Sequence, residues 1–291
     1  FSPDVEVHLA CLSRGGRPSG EAVSEIREHC SSLQVVPHDF TRVSGALTSL
    51  LKRTPYELTI YANPHFQDVI DGLVEDVRPQ LMLFSRLAGL QYLRPEHETR
   101  RVLDQHDFAR NLWRTKEEGA RNALIRRYSA YNRKRVIEFE DRSYPELDAF
   151  VSPSESELQK THRTCGRGIE GWVVENGADT EFFDPERSYR RPPEATGERS
   201  ILLTGTMSAI RNVDAAIRLV EKIMPAVWDQ VPGAQVLIVG KDPSDQVLRL
   251  DDDHERVTVV GKVPDMRPYL SVADVCVAPY DVGGGVKHKI P

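Results

Sequence analysis

Three short stretches of this 291-residue chain combine glycine with a cation in the way a diphosphate site requires. Gly205 is followed by Arg211, Gly240 closes the run LIVG, and Gly283, Gly284 and Gly285 precede Lys287 and Lys289. Each follows an apolar, strand-like run. Glycine lets backbone N–H groups come close to phosphate oxygens, and a neighbouring Arg or Lys neutralises their charge. Any one of them is as well explained as a simple turn. Three in order at strand ends point to a diphosphate-binding edge.

The elements that must hold these turns surround them in the sequence. Ile201, Leu202 and Leu203 form an apolar run without polar alternation, as in a parallel strand covered on both faces. Asn212 stands where a helix N-cap is expected, and Val213 to Val227 repeats apolar residues at helical spacing. A helix starting at the carboxyl end of a strand presents unpaired N–H groups and positive dipole to an anion. Strands are expected at 235–239, 257–260 and 275–278, with a short helix near 266–272. Asp251, Asp252 and Asp253 fall in a polar loop after the helix-like QVLRL, not at a strand end where carboxylates would hold a catalytic ion, so no metal site is expected.

Upstream, strands are expected at 5–12, 33–36, 80–84, 102–104, 150–152 and 172–174, with helices at about 21–31, 43–52 and 66–77. Residues 111–142 read as one long helix or two broken ones. Alternating strands and helices indicate α/β architecture with parallel sheets. The basic run IRRYSAYNRKR (125–135) is either a solvated helix face or a surface attracted to anionic lipid or a lipid-linked acceptor. The polar, proline-bearing stretch 181–199 reads as a linker between a first domain, 1–180, and a second, 200–291.

Composition narrows the partners. A net charge of −6 argues against nucleic acid. Four separated cysteines form neither a CxxC pair nor a disulfide framework, and Cys11 and Cys276 lie in apolar runs as small buried hydrophobes. No stretch is apolar enough for a membrane span and no signal peptide opens the chain, so a cytoplasmic protein is expected. A strand starts almost at Phe1 and the chain stops just after a glycine-rich turn, so it reads as a fragment lacking residues at both ends.

These motifs together resemble the family 4 glycosyltransferases of GT-B fold, nearest to the bacterial sugar transferases of exopolysaccharide gene clusters. VVENGADTEFFDP resembles the family's PNGVDxxxF segment, and LLTGTMSAIRNVDAAI its G-x-M-x-x-x-x-N-x-D segment. VLIVGKDPS and VTVVGKVPDMRPYLSVADVCVAPYDVGGGVKHKI follow in the family's order. The match covers nearly all of 200–290; VHLACLS, VLDQHD and AFVSPSESE carry a looser one in the first half.

The resemblance implies two Rossmann-like domains facing across a cleft, the second holding a nucleotide-sugar donor and the first a glycan or lipid-linked acceptor. It implies transfer with retention and without metal or cofactor, in the cytoplasm or peripherally at the inner face of the membrane. Gly205, Thr206, Arg211 and Asn212 are then donor-phosphate residues, with Gly240 on the same edge. Gly283, Gly284, Gly285, Lys287 and Lys289 serve the sugar and diphosphate. His106 matches a position where the family often has a histidine lining the cleft. The family's paired glutamates depart from the pattern: the first position falls near Gly284 and the second lies past Pro291. A nucleotide-sugar 2-epimerase and a non-catalytic binding protein of the same fold are the alternatives. A Rossmann oxidoreductase is disfavoured because no G-x-G-x-x-G follows a strand.

Overall fold

The computed structural model describes residues 4–16, 18–106, 109–120, 122–165 and 168–280. The chain divides after Glu175 into two compact units, the first with a two-stranded and a four-stranded parallel sheet and the second with one four-stranded parallel sheet.

The first unit opens with β1 (His8–Ser13), α1 (Gly20–Arg27) and β2 (Ser32–Pro37), the two strands pairing in parallel. Three helices follow, α2 (Arg42–Lys52), α3 (Tyr56–Ile60) and α4 (Pro64–Val77). Then come β3 (Leu81–Ser85), a 3₁₀ segment (Leu87–Tyr92), β4 (Arg100–Asp104), α5 (Ala109–Glu118), α6 (Ala123–Ser143), β5 (Ala149–Ser152), α7 (Glu155–Cys165) and β6 (Glu170–Val173). β3 to β6 form a parallel sheet in sequence order. Phe84, Leu103 and Phe150 from its strands pack against Trp113, Val136 and Phe139 of α5 and α6.

The basic stretch 111–142 is thus two helices, packed as a hairpin and tied by charge. Arg133 Nε lies 2.7 Å from Glu117 Oε2, and Arg110 bonds both Glu140 and Asp141. The sequence pattern missed α3 because it is only five residues long, and α7 because it is mostly polar. α7 spells ESELQKTHRTC, whose mainly polar surface shows little apolar periodicity.

The second unit holds β7 (Arg199–Thr204), α8 (Ile210–Arg218), α9 (Met224–Gln230), β8 (Ala234–Val239), α10 (Asp245–Asp253), β9 (Val257–Gly261), α11 (Arg267–Val272) and β10 (Val275–Cys276). The sheet order is β10-β7-β8-β9, all parallel. β8 is buried along its whole length: the apolar run Val236–Val239 is covered on both faces, and the buried Gln235 amide accepts from Thr196 and Gly197 N–H. Leu203, Val236 and Ile238 face the layer built from α8, α9 and α10, while Leu202, Leu237 and Val239 face Tyr269 and α11.

Three expectations change here. Residues 210–230 are one helical run rather than 213–227, with a π-helical turn at Leu219–Ile223 between α8 and α9. Asp251, Asp252 and Asp253 form the last turn of α10, not a loop. Asp251 Oδ2 accepts from Val259 N at 3.2 Å. Cys276, expected to be buried, is exposed on β10. No described helix is long and apolar enough to cross a membrane.

One buried charge gives the first unit a pH signature. Glu140 is fully enclosed on α6, and burial pushes its carboxyl up from about 4.5 to about 7, with Arg110 opposing the rise. The folded protein therefore holds this proton more tightly than the unfolded chain, and the stability it contributes is complete below about pH 4.5 and lost as the pH rises through about 7. Thermal melts between roughly pH 5 and pH 8 should show a falling Tm component that Glu140→Gln removes. An identical slope in the variant would contradict this assignment.

Candidate functional site

The second unit's carboxyl edge is built from three strand ends whose turns lace together. Gly205 N donates to Val239 O at 3.2 Å, and Gly240 N to Gly261 O at 2.8 Å. Met207 N donates to Lys241 O at 2.8 Å, and Ser244 N to Met207 O at 3.3 Å. Gly240 passes so close to Gly205 that a Cβ on it would overlap the Gly205 carbonyl oxygen and stand 2.7 Å from the carbonyl carbon. Only a glycine fits there, whatever the edge binds.

The loop leaving Gly205 is stapled by Asn212. Its Nδ2 donates to Thr206 O at 2.8 Å, and its Oδ1 accepts from Tyr280 OH at 3.0 Å. Asn212 is therefore not the N-cap. That position belongs to Ala209, and Asn212 sits in the third helical position with its amide engaged by the loop and by the strand exit beyond β10. An alanine cannot cap, and no side chain caps α8. The positive end of the helix is left for another acceptor at the edge where Gly205 and Thr206 turn.

Arg211 occupies the second position of this helix. It lines a cavity of about 300 Å³ with Asp214, Arg218, Lys222 and Tyr280. Three cations against one carboxylate make that wall electropositive. Gly205, Thr206, Asn212 and Gly240 are thus brought together, with Arg211 on the adjoining helical flank. Gly283, Gly284, Gly285, Lys287 and Lys289 lie outside the described residues.

In the first unit His106 follows the carboxyl end of β4. Its Nε2 lies 3.0 Å from Asp104 Oδ2 and 3.3 Å from Ser85 Oγ. Parallel register sets Ser85 opposite Asp104, so two strand ends and the histidine make one polar cluster. The sequence reading passed over Ser85 and Asp104 as site residues; their signal was the final position of each strand. Tyr280, missed as well, stands just before the glycine run. Among the described residues no group of His, Cys, Asp and Glu could hold a metal ion.

Residues 198–290 match the family model described as Glycosyl transferases group 1. A search of the curated proteins gives no match. Among solved structures, sucrose-phosphate synthase from Thermosynechococcus elongatus aligns at 14% identity over 94% of this chain and 75% of its own, with a TM-score of 0.58. HepE of Anabaena in complex with UDP aligns at 14% identity over 97% and 76%, TM-score 0.53. An α,α-trehalose-phosphate synthase (UDP-forming) from Burkholderia vietnamiensis aligns at 8% over 92% and 77%, TM-score 0.54. The fold is α/β of the GT-B class, as expected from the sequence. The expected enzyme class, a glycosyltransferase, stands on the match of the second unit.

The Gly205–Gly240 contact predicts an asymmetric response to alanine. Gly240→Ala should destabilise the second unit by at least about 1–3 kcal/mol, because the clash is with backbone that cannot turn aside. Gly72→Ala, in α4 with nothing near the added methyl, should instead stabilise by about 0.5–1 kcal/mol. Urea unfolding of the two variants checks both signs.

Proposed function

We propose that this protein transfers a sugar from a nucleotide-sugar donor to a glycan or lipid-linked acceptor, in the manner of the family 4 enzymes of exopolysaccharide clusters. The observation that carries the reading is the uncapped start of α8. It lies where Gly205 and Thr206 turn at the sheet's carboxyl edge, with Arg211 in its first turn, inside the segment that matches a glycosyl transferase model.

In transfer, the bond from the sugar's anomeric carbon to the diphosphate oxygen breaks and one to an acceptor hydroxyl oxygen forms. Negative charge grows on the departing diphosphate. The N–H groups opening α8, with Arg211, are fixed before reaction and meet that charge with little reorganisation. The backbone of Gly205 and Thr206 permits close approach, and Asn212 holds the loop in place. Gly283, Gly284, Gly285, Lys287 and Lys289 join the donor side in this proposal, and His106, beside Asp104, serves the acceptor side. The electropositive flank of Arg211, Arg218 and Lys222 supports a diphosphate leaving group, and the UDP held by HepE, a protein of like fold, is in keeping with a uridine diphosphate donor.

We assign retention at the anomeric carbon and no requirement for metal or cofactor. The aspartates at 251–253 end α10 and lead into the amino end of β9, the opposite edge from Gly205 and Gly240, where they cannot reach the donor diphosphate. We place the reaction in the cytoplasm at the inner face of a membrane, where a lipid-linked acceptor would be met.

Two measurements test the reading. Arg211→Ala should weaken UDP binding by about 1.5–3 kcal/mol in calorimetry, the range for a hydrogen bond to a charged partner; an unchanged Kd would remove Arg211 from the site. Sugar transfer should persist in excess chelator, and activity lost to chelator but restored by Mg²⁺ or Mn²⁺ would overturn the metal-free mechanism.

A further inference from the structure

The backbone at Arg86 has a conformation foreign to an arginine. Arg86 joins the carboxyl end of β3 to the 3₁₀ segment with φ 66° and ψ 160°, a region that essentially only glycine adopts without strain. Arg53 and Arg78 also have positive φ, but with ψ of 37° and 60° they are left-handed residues closing α2 and α4, where many helices end that way. Arg86 ends no helix.

The chain on both sides holds the strain in place. Arg86 N donates to Asp104 O at 2.9 Å, and its carbonyl accepts from Gly89 N at 3.0 Å. Phe84 before it and Leu87 and Ala88 after it are buried. Where only a bend is needed, glycine supplies it at no steric cost. Strain kept at an arginine points instead to a use for the side chain.

That use lies outside the first unit's own packing. Arg86 is exposed, and its guanidinium makes no ion pair, hydrogen bond or ring contact among the described residues. Its place in the chain is one position after Ser85, whose register partner is Asp104 and whose hydroxyl lies 3.3 Å from His106 Nε2. A cation is thus anchored at the polar cluster of these two strand ends. The carboxylate in that cluster, Asp104, is engaged by His106 at 3.0 Å. A guanidinium presents a rigid fork of N–H donors that matches two oxygens of a phosphate, whereas the hydroxyls of a neutral sugar offer it no charge to meet.

We propose that Arg86 is a phosphate-recognising residue of the acceptor subsite, so that the acceptor carries a phosphate or diphosphate and is not a neutral glycan. The inference rests on the reading of His106 and its neighbours as the acceptor side. It narrows that reading to one chemistry with two sources, a phosphorylated sugar and the diphosphate of a lipid-linked one.

Calorimetry on the whole chain tests it. UDP binding is measured first; the UDP-saturated protein is then titrated with farnesyl diphosphate or mannose 6-phosphate, and with farnesol or mannose as their neutral counterparts. At least one phosphate should bind and neither neutral compound should, and the phosphate that binds identifies the source. Arg86→Ala and Arg86→Gly should each weaken that binding at least about tenfold, the loss of a charge-assisted hydrogen bond, with the Kd for UDP unchanged. Arg86→Gly should also melt about 2–4 °C above Arg86→Ala, because glycine relieves the backbone and alanine does not. UDP binding without binding of either phosphate would overturn this proposal and leave the donor site standing, whereas absence of UDP binding would overturn both. Undiminished phosphate binding in the two variants, a parallel loss of UDP affinity, or equal melting of the variants would also overturn it.

Discussion

Two backbones touching where no side chain can stand is the constraint on which the second unit rests. Gly240 and Gly205 close the ends of two adjacent strands, β8 buried throughout and β7 over much of its length, and their contact brings the turns after those strands into one hydrogen-bonded layer. From that layer the chain can enter α8 only over a short loop, whose shape Asn212 fixes through Thr206. The uncapped helix end, the cation in its first turn and the nearby Tyr280 all inherit their positions from this contact. A ligand is not needed to explain the glycine, which gives the site its form before anything binds.

Much of this was legible in the residues, and the failures have physical causes. The buried strands of the second unit announce themselves as apolar runs, because a central parallel strand has no solvent face to alternate with. Asn212 was misplaced because the preference for Asn at N-caps is local, whereas its actual partners, Thr206 and Tyr280, lie 6 and 68 positions away. The aspartates at 251–253 looked like a loop because polarity alone does not distinguish a solvated last turn of helix from a coil. In the first unit the polar cluster at His106 depends on strand register, which sets Ser85 beside Asp104 and which no local pattern encodes.

Charge is distributed with different consequences in the two halves of the α5–α6 hairpin. Toward the carboxyl end of α6, Glu140 is enclosed and answered by Arg110, an arrangement in which burial raises the carboxyl against its partner's pull. Toward the amino end, Arg126 and Arg127 stand in solvent with no acid in their stretch of chain. One end of the helix is fastened to its own unit through buried polar contacts, while the other is left with free charge and uncovered aliphatic area.

The π-helical turn at Leu219–Ile223 carries a mechanical meaning for the donor edge. Pro225 could not follow an uninterrupted α-helix without a clash and a missing hydrogen bond. The wider turn, with Met224 N–H reaching Leu219 O, absorbs that conflict. The helix thus continues as a rod about 30 Å long. Its far end is locked by Met224 and Trp228 in the core, the indole N–H donating to Ala234 O at 2.9 Å. Val213 and Ala216 near its start lie in the same core cluster, so the first turn is held both by the glycine turns and along the rod, and the π-helical turn lets one helix keep that bearing past Pro225.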